Sequence, residues 1–351
     1  CVLISCKNEK SSNTYSYNLK ASEIIKSFVL DSDVKYNAFY LYTFSDDKGK
    51  EYLTFLNYRT NQILFYDLET TDFLFKLNLN SEGPHGVVQP TGLYVKDLNH
   101  IYVSSYVYSG LMRVDTTCHI IQKIPYGITS KGYNVLPSYT PSSHPYIAPV
   151  IIDKKIYITQ NAIDRFHPIV DTPLSVVIDT VQKSCEDLPL TYGILTEKEL
   201  AIKDPRFSRV FNGKEFIYSF YVSEDIVVTS VDHSEVKKIS VKSKYLDSPI
   251  VKQEVSERGP QLNLELARYG DLIYDPYREV NYRFVYPKTT LEDNIRWWGK
   301  SVYGRKKFSV IILNKDFQII GETLFPESIY NSYVFFVHKD GLYISRDYQM
   351  I

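Results

Sequence analysis

Seven side chains with chemistry to offer fall between the apolar runs of this chain: His85, Arg165, His167, Arg258, Arg296, Trp297 and Trp298. The two tryptophans are the only ones in the protein, and they close the string Thr289-Thr290-Leu291-Glu292-Asp293-Asn294-Ile295-Arg296-Trp297-Trp298-Gly299, which opens as a capped short helix. Adjacent residues on a helix point in different directions. One ring can therefore pack inward while its neighbour stacks on a sugar or fills a pocket in a protein partner. Anchoring of the insertion in the core is the competing use, because tryptophan is heavily buried on average. His85 sits in the turn Ser81-Glu82-Gly83-Pro84-His85-Gly86, which Ser256-Glu257-Arg258-Gly259-Pro260 resembles. It is either a base or ligand at a channel mouth or a satisfied turn histidine. No two histidines stand at helical metal-ligand spacing and no Gly-rich phosphate loop is present, so no metal is assigned and the cofactor is unknown.

The elements that must position these residues repeat. Six apolar runs end on an Asx residue, at Asn18, Asp67, Asp115, Asp179, Asp232 and Asn314, and each is followed by a few polar residues and a second apolar run. Asx side chains accept hydrogen bonds from backbone N–H groups two residues on, so each string predicts a hairpin corner. Five four-stranded meanders follow between residues 38 and 324, and the chain closes with two strands over 333–337 and 342–345. The N-terminus supplies the missing pair, over 15–19 and 24–30 with Asn18 at its corner. Joining the two ends completes a sixth sheet. The expectation is an all-β, six-bladed β-propeller over residues 15–351, its ring closed by N-terminal strands pairing with C-terminal ones. Strands apolar on both faces, such as Val176-Val177-Ile178 and Val310-Ile311-Ile312-Leu313, favour sheets stacked between neighbours over a sandwich.

That architecture separates two faces. The turns within hairpins are short and share one end, whereas the long excursions, 125–147, 161–174, 189–206, 242–266 and 286–307, emerge at the other. Long loops gathered on a rigid scaffold are the usual place for binding, and neutral filling of the ring's mouth is the alternative. The seven residues above belong to this loop-bearing end, as do Tyr133, Tyr139, His144 and Tyr192.

With 40 basic and 41 acidic residues the formal net charge is -1, which offers no field to draw nucleic acid. The 31 tyrosines and 18 phenylalanines suit strands and binding surfaces alike. Residues 1–14 read as a signal remnant and tether. Leu3-Ile4-Ser5-Cys6 has the form of a bacterial lipobox, which would make Cys6 the lipid-carrying residue, and an incidental cysteine in a strand fragment is the alternative. No transmembrane helix is expected, so the membrane would be reached by the lipid anchor only. Cys118 and Cys185 fall near corners of neighbouring meanders, at offsets that do not favour a disulfide.

Taken together, Leu3-Ile4-Ser5-Cys6, the crossover Glu82-Gly83-Pro84 and the apolar–Asx corners resemble the Bacteroidota lipoproteins with a six-bladed β-propeller, a largely uncharacterised family. The resemblance implies a bacterial cell-envelope location and a binding or scaffold role toward a glycan, peptide or protein partner. It carries over no catalytic residue. A hydrolase or lyase with its site at the central channel is the rival reading, and it needs at least three carboxylate, His or Asn groups converging there.

Overall fold

The computed structural model describes residues 2–8, 16–30, 39–57, 60–84, 86–105, 107–129, 132, 147–160, 168–201, 205–246, 266–289 and 306–346. Twenty-four strands carry almost all of the regular structure. At the N-terminus are β1 (Val2–Asn8) and β2 (Tyr17–Ile25). Meander 1 holds β3 (Phe39–Ser45), β4 (Glu51–Asn57), β5 (Gln62–Asp67) and β6 (Phe73–Asn78). Meander 2 holds β7 (Pro90–Asp97), β8 (His100–Ser105), β9 (Gly110–Val114) and β10 (Ile120–Pro125). Meander 3 holds β11 (Val150–Ile152), β12 (Lys155–Thr159), β13 (Ser175–Asp179) and β14 (Ser184–Asp187). Meander 4 holds β15 (Phe207–Phe211), β16 (Phe216–Phe220), β17 (Asp225–Thr229) and β18 (Val236–Ser240). Meander 5 holds β19 (Arg268–Asp275), β20 (Val280–Tyr286), β21 (Phe308–Leu313) and β22 (Ile319–Phe325). The C-terminal hairpin is β23 (Tyr330–His338) and β24 (Gly341–Arg346).

The fold is all-β and propeller-like, made of four-stranded antiparallel meanders, but the strands form five sheets rather than six. Four meanders stand alone. The fifth continues into an eight-stranded sheet in the order β19-β20-β21-β22-β2-β1-β24-β23. The junction is a single parallel pair, Tyr17 opposite Gly321. Only glycine fits there, because a Cβ at 321 would lie 2.2 Å from the Tyr17 carbonyl oxygen.

The N-terminal assignment needs correction. Asn18 is not a corner but the second residue of β2, paired opposite Lys7. Residues 2–8, expected within a signal remnant and tether, form β1, which pairs antiparallel with β2 and, through Val2, Leu3 and Ile4, with β24. After β2 the chain crosses onto meander 1. Lys26 Nζ donates to the Leu68 carbonyl at 2.7 Å, and the Tyr66 hydroxyl donates to the Val29 carbonyl at 3.0 Å.

The other five corners form as their residue types dictate. Asp67 Oδ1 accepts from the N–H groups of Glu69 and Thr70, Asp115 Oδ1 from Thr117 and His119, and Asp179 Oδ1 from Val181 and Gln182. Asp232 and Asn314 do the same for Ser234 and for Asp316 and Gln318. In each of these five corners a left-handed residue closes the turn: Thr71, Cys118, Lys183, His233 or Phe317, with φ between 55° and 67°. Cys118 and Cys185 are both free thiols, and burial pushes the Cys185 thiol up to about 12.

Inner strands are apolar on both faces because sheets stack on both sides; every residue of β21 is buried. The last strands of meanders 1, 2 and 4 are more exposed and form a rim. Five apolar clusters lie between neighbouring sheets, among them Phe336 and Tyr343 packed against Leu53, Phe55 and Tyr66 of meander 1, and a sixth is built from strands of the eight-stranded sheet alone. The first strands touch in series: β3 meets β7, β15 meets β19, and β23 meets both β19 and β3. Two buried arginines bind sheets together without a carboxylate partner among their hydrogen bonds. Arg283 lies over the Tyr269 ring at 3.9 Å and donates to Ser219 Oγ and to the carbonyls of Glu224 (2.6 Å) and Ser223 (2.7 Å). Arg209 donates to Ser175 Oγ and the Tyr157 carbonyl of meander 3.

Candidate functional site

Among the described residues, a cluster of titratable groups lies on the end carrying the short turns. His338, the last residue of β23, is fully buried. Its Nδ1 lies 2.9 Å from Asp340 Oδ2 and its Nε2 lies 2.9 Å from Glu51 Oε2, at the start of β4. Next to it, Lys339 Nζ stands 3.7 Å from Glu51 Oε2 and 3.5 Å from Glu69 Oε2 in the β5–β6 corner. Tyr277, in the β19–β20 turn, donates its hydroxyl to Glu51 Oε1 at 3.3 Å.

The backbone beneath this cluster is clamped. Arg278 pairs with Asp275 at 2.7 Å and donates to the carbonyls of His338 (3.2 Å) and Lys339 (2.6 Å). One guanidinium thus fixes the C-terminal hairpin turn against meander 5. Charge balance follows the same geometry. Partial burial alone would raise the Glu51 carboxyl, but the hydrogen bond from His338 and the charges of His338 and Lys339 outweigh it and hold Glu51 below the ordinary carboxylate range. Lys339 is pushed above its ordinary value, chiefly by the Glu69 carboxylate.

Beside the cluster lies an open cavity of about 210 Å³, lined by β3, the end of β19 and β23. Leu41, Phe44, Ile273, Phe335 and Val337 give it apolar walls, and Thr43, Glu51 and Tyr277 supply polar contacts. An apolar pocket with a few convergent polar groups is the usual form of a small-ligand site. Here Glu51 can accept a hydrogen bond from a ligand, with His338 and Asp340 behind it.

A second group sits at the opposite end of the inner strands, where the long excursions attach. Arg268, the first residue of β19, lies 5.3 Å from the Tyr221 ring centroid and 4.7 Å from that of Tyr286, and donates to the Tyr333 hydroxyl at 2.8 Å. Tyr221 donates to Asp271 Oδ1 at 2.7 Å, and Arg206 approaches the Tyr221 ring at 5.9 Å. Burial holds the Tyr221 and Tyr286 phenols well above 10, so both stay protonated at any physiological pH.

Of the candidate site residues singled out in the sequence, Tyr192 and Cys6 fall within the described residues. His85, Arg165, His167, Arg258, Arg296, Trp297 and Trp298 lie outside the described residues, as do Tyr133, Tyr139 and His144. Tyr192 is a core residue rather than a surface one: it is buried against Phe207 and Phe220 and donates to the Gln160 carbonyl at 3.2 Å. Cys6 lies in β1, opposite Leu19. Sequence reasoning passed over Glu51, Glu69 and His338 because they belong to the end with the trimmed turns and are far apart along the chain. The only local signal was the turn Lys339-Asp340-Gly341, which marks the end of β23.

Three comparisons place the chain among known proteins. The profile of a family described as a domain of unknown function, DUF4221, matches residues 16–324. A crystal structure of a DUF4221 member from Bacteroides vulgatus superposes with a TM-score of 0.79 at 26% identity, covering 97% of this chain and 92% of that one. A protein from Bacteroides fragilis, described as exported, superposes with a TM-score of 0.47 at 11% identity, over 93% of this chain and 76% of that one. Hsv2 of Kluyveromyces lactis gives a TM-score of 0.45 at 9% identity, over 88% and 70% of the two chains. No curated protein matches the sequence.

Proposed function

The chain belongs to the DUF4221 family, and on that premise we propose that it is a binding or scaffold module of the bacterial cell envelope, taking a glycan, peptide or protein ligand on a six-bladed propeller. In this reading the eight-stranded sheet serves as two blades joined at Gly321, and β1 with β24 closes the ring. The packing of Phe336 and Tyr343 against meander 1 supports that closure.

The observation that carries the binding role is the cavity of about 210 Å³ between β3, β19 and β23, lined by aromatic and aliphatic side chains with Glu51 and Tyr277 as polar contacts. Its size suits a single side chain or sugar ring rather than a whole macromolecule, so it would seat one group of a larger ligand. The long excursions, with Trp297, Trp298, Arg296, Arg165, His167, Arg258 and His85, are the other surface offered. Arg268 and its tyrosines floor that end.

Binding of envelope-derived glycans and peptides, screened on an array and measured by calorimetry, tests both surfaces. Thr43→Trp fills the cavity and Trp297→Ala with Trp298→Ala strips the loops. Loss with the first places the ligand in the cavity; loss with the second places it on the loops. A ligand bound unchanged by both variants would refute the reading.

The rival reading, a hydrolase or lyase, is expected at the central channel; the meeting of Glu51, His338 and Asp340 beside the cavity would support such an enzyme only with its site moved to this seam. Lipid attachment at Cys6 belongs to the proposed envelope location, and it has a structural cost. Cleavage ahead of Cys6 would remove Val2, Leu3 and Ile4, the residues that pair with β24. Among the described residues no helix is long and apolar enough to cross a membrane.

A further inference from the structure

We propose that Glu51, Glu69 and His338 form a binding site for a divalent transition-metal ion, with zinc as the best-matched candidate, at the seam between meander 1 and the C-terminal hairpin. The site goes beyond the binding role argued above and does not depend on it. One imidazole nitrogen and two carboxylate oxygens are the donors, and their ligand atoms lie within 4.8 Å of one another. A mixed nitrogen and oxygen set suits zinc or manganese better than the all-oxygen preference of calcium or magnesium. Zinc bonds of about 2.0–2.2 Å set tetrahedral donors roughly 3.4 Å apart, so the wider separations must close by about an ångström and the 2.9 Å pair of His338 Nε2 and Glu51 Oε2 must open slightly. The exposed Glu69 side chain can supply that movement while β4 and β23 stay in place.

Two further features point to a cation. Asp340 Oδ2 lies 2.9 Å from His338 Nδ1, so the ring is oriented with Nε2 directed at the carboxylates. A carboxylate behind the histidine is the usual outer support of a histidine metal ligand, fixing its tautomer and orientation. In addition, the Lys339 ammonium already stands by both glutamates, at 3.7 and 3.5 Å, with its side chain 52% exposed. Lys26 Nζ also lies 3.7 Å from Glu69 Oε2, but it is held by the Leu68 carbonyl at 2.7 Å, so Lys339 is the ammonium that can leave. A divalent ion can replace that ammonium, which swings into solvent. Arg278, donating to the His338 and Lys339 carbonyls, keeps the hairpin turn fixed as the exchange takes place. Glu51 also lines the cavity, so the ion and the cavity share a wall.

The test is zinc binding by the full chain after treatment with chelator, using zinc chloride alone as the probe, read by calorimetry and by the shift of the thermal midpoint. The expected result is one zinc per chain and a raised midpoint. Glu69→Gln, an exposed change that leaves the fold intact, should weaken binding on the order of 10–100-fold, and Asp340→Asn should weaken it by about tenfold through loss of ring orientation. Lys339→Met should bind zinc more tightly than the parent, because it removes the competing ammonium. Absence of stoichiometric zinc binding, parent-like binding by Glu69→Gln, or weaker binding by Lys339→Met would each overturn the proposal.

Discussion

The stability of this protein should depend on mild acid through one buried histidine. His233 is 1% exposed and sits under meander 4, with Nδ1 3.2 Å from the Val231 carbonyl and Nε2 2.5 Å from the Tyr218 hydroxyl. The carbonyl can only accept, so Nδ1 donates, and neutral Nε2 accepts from Tyr218. The Tyr218 oxygen meets Ser175 Oγ at 2.7 Å, and Arg209 donates to that serine at 2.8 Å. A second ring proton would leave two donors facing each other between His233 and Tyr218. Burial first, and the Arg209 charge second, bring the ring down to about 4 from the ordinary 6.5. Between those values the unfolded chain binds a proton that the folded chain refuses. Stability therefore rises with pH across this window and is lost as pH falls from about 6.5 toward 4. At pH 5 the loss from this group is about 2 kcal/mol. For a chain of this length that corresponds to about 3 °C in thermal midpoint. The assay compares parent and His233→Gln at pH 7 and pH 5, since glutamine can keep the hydroxyl and carbonyl contacts without titrating. The parent should lose about 3 °C more than the variant. Equal acid losses in the two proteins would show that His233 does not titrate as argued.

Other perturbations have comparably definite outcomes. Arg283→Met keeps much of the packing under Tyr269 but strands the Glu224 and Ser223 carbonyls, which should cost about 3–5 kcal/mol in denaturant unfolding. Gly321→Val places a side chain against the Tyr17 carbonyl and should sever the β2–β22 junction, seen as faster amide exchange over residues 17–25 and 319–325 with meanders 2 to 4 unaffected. Intact mass of the protein expressed from its full-length gene in a bacterial host distinguishes two N-termini. A lipid-bearing Cys6 start would mean that the β1–β24 pairing is lost in the mature protein, whereas retention of Val2–Ile4 would mean that β1 is a permanent strand.

Much of this architecture could be read from residue types alone, because hairpin corners are local. Asp67, Asp115, Asp179, Asp232 and Asn314 each satisfy backbone donors within five positions, and that signal survives in one dimension. Asn18 has the same flanking pattern, but pairing with β1 overrides it. Nothing in Tyr17-Asn18-Leu19 announces a strand partner at residues 2–8. The eight-stranded sheet was illegible for a similar reason: it depends on one close approach at Gly321, and an isolated glycine in a strand has several readings. The His338 cluster was hidden by distance along the chain and by the expectation that function follows long loops. Short turns place Glu51, Glu69 and Asp340 at fixed positions, which is what charged contacts at 2.9–3.7 Å need. The tryptophan insertion lies outside the described residues, so its part in function rests on residue chemistry.

Where Val2–Ile4 are retained, the pairing of β1 with β24 sets a timetable for biosynthesis. Meanders 1 to 5 are each made of strands adjacent in sequence and can assemble in the order in which they leave the ribosome. The sheet that holds β1 cannot do so, because its partner is translated after every one of them. Until then β1 exposes an unpaired edge, and the hairpin of β23 and β24 must find it across the whole folded body. This is the slow, long-range step of the chain. A nascent protein held at this stage would need a chaperone or translocation machinery to cover that edge, and a truncation removing only β23 and β24 would leave an aggregating species rather than a smaller propeller.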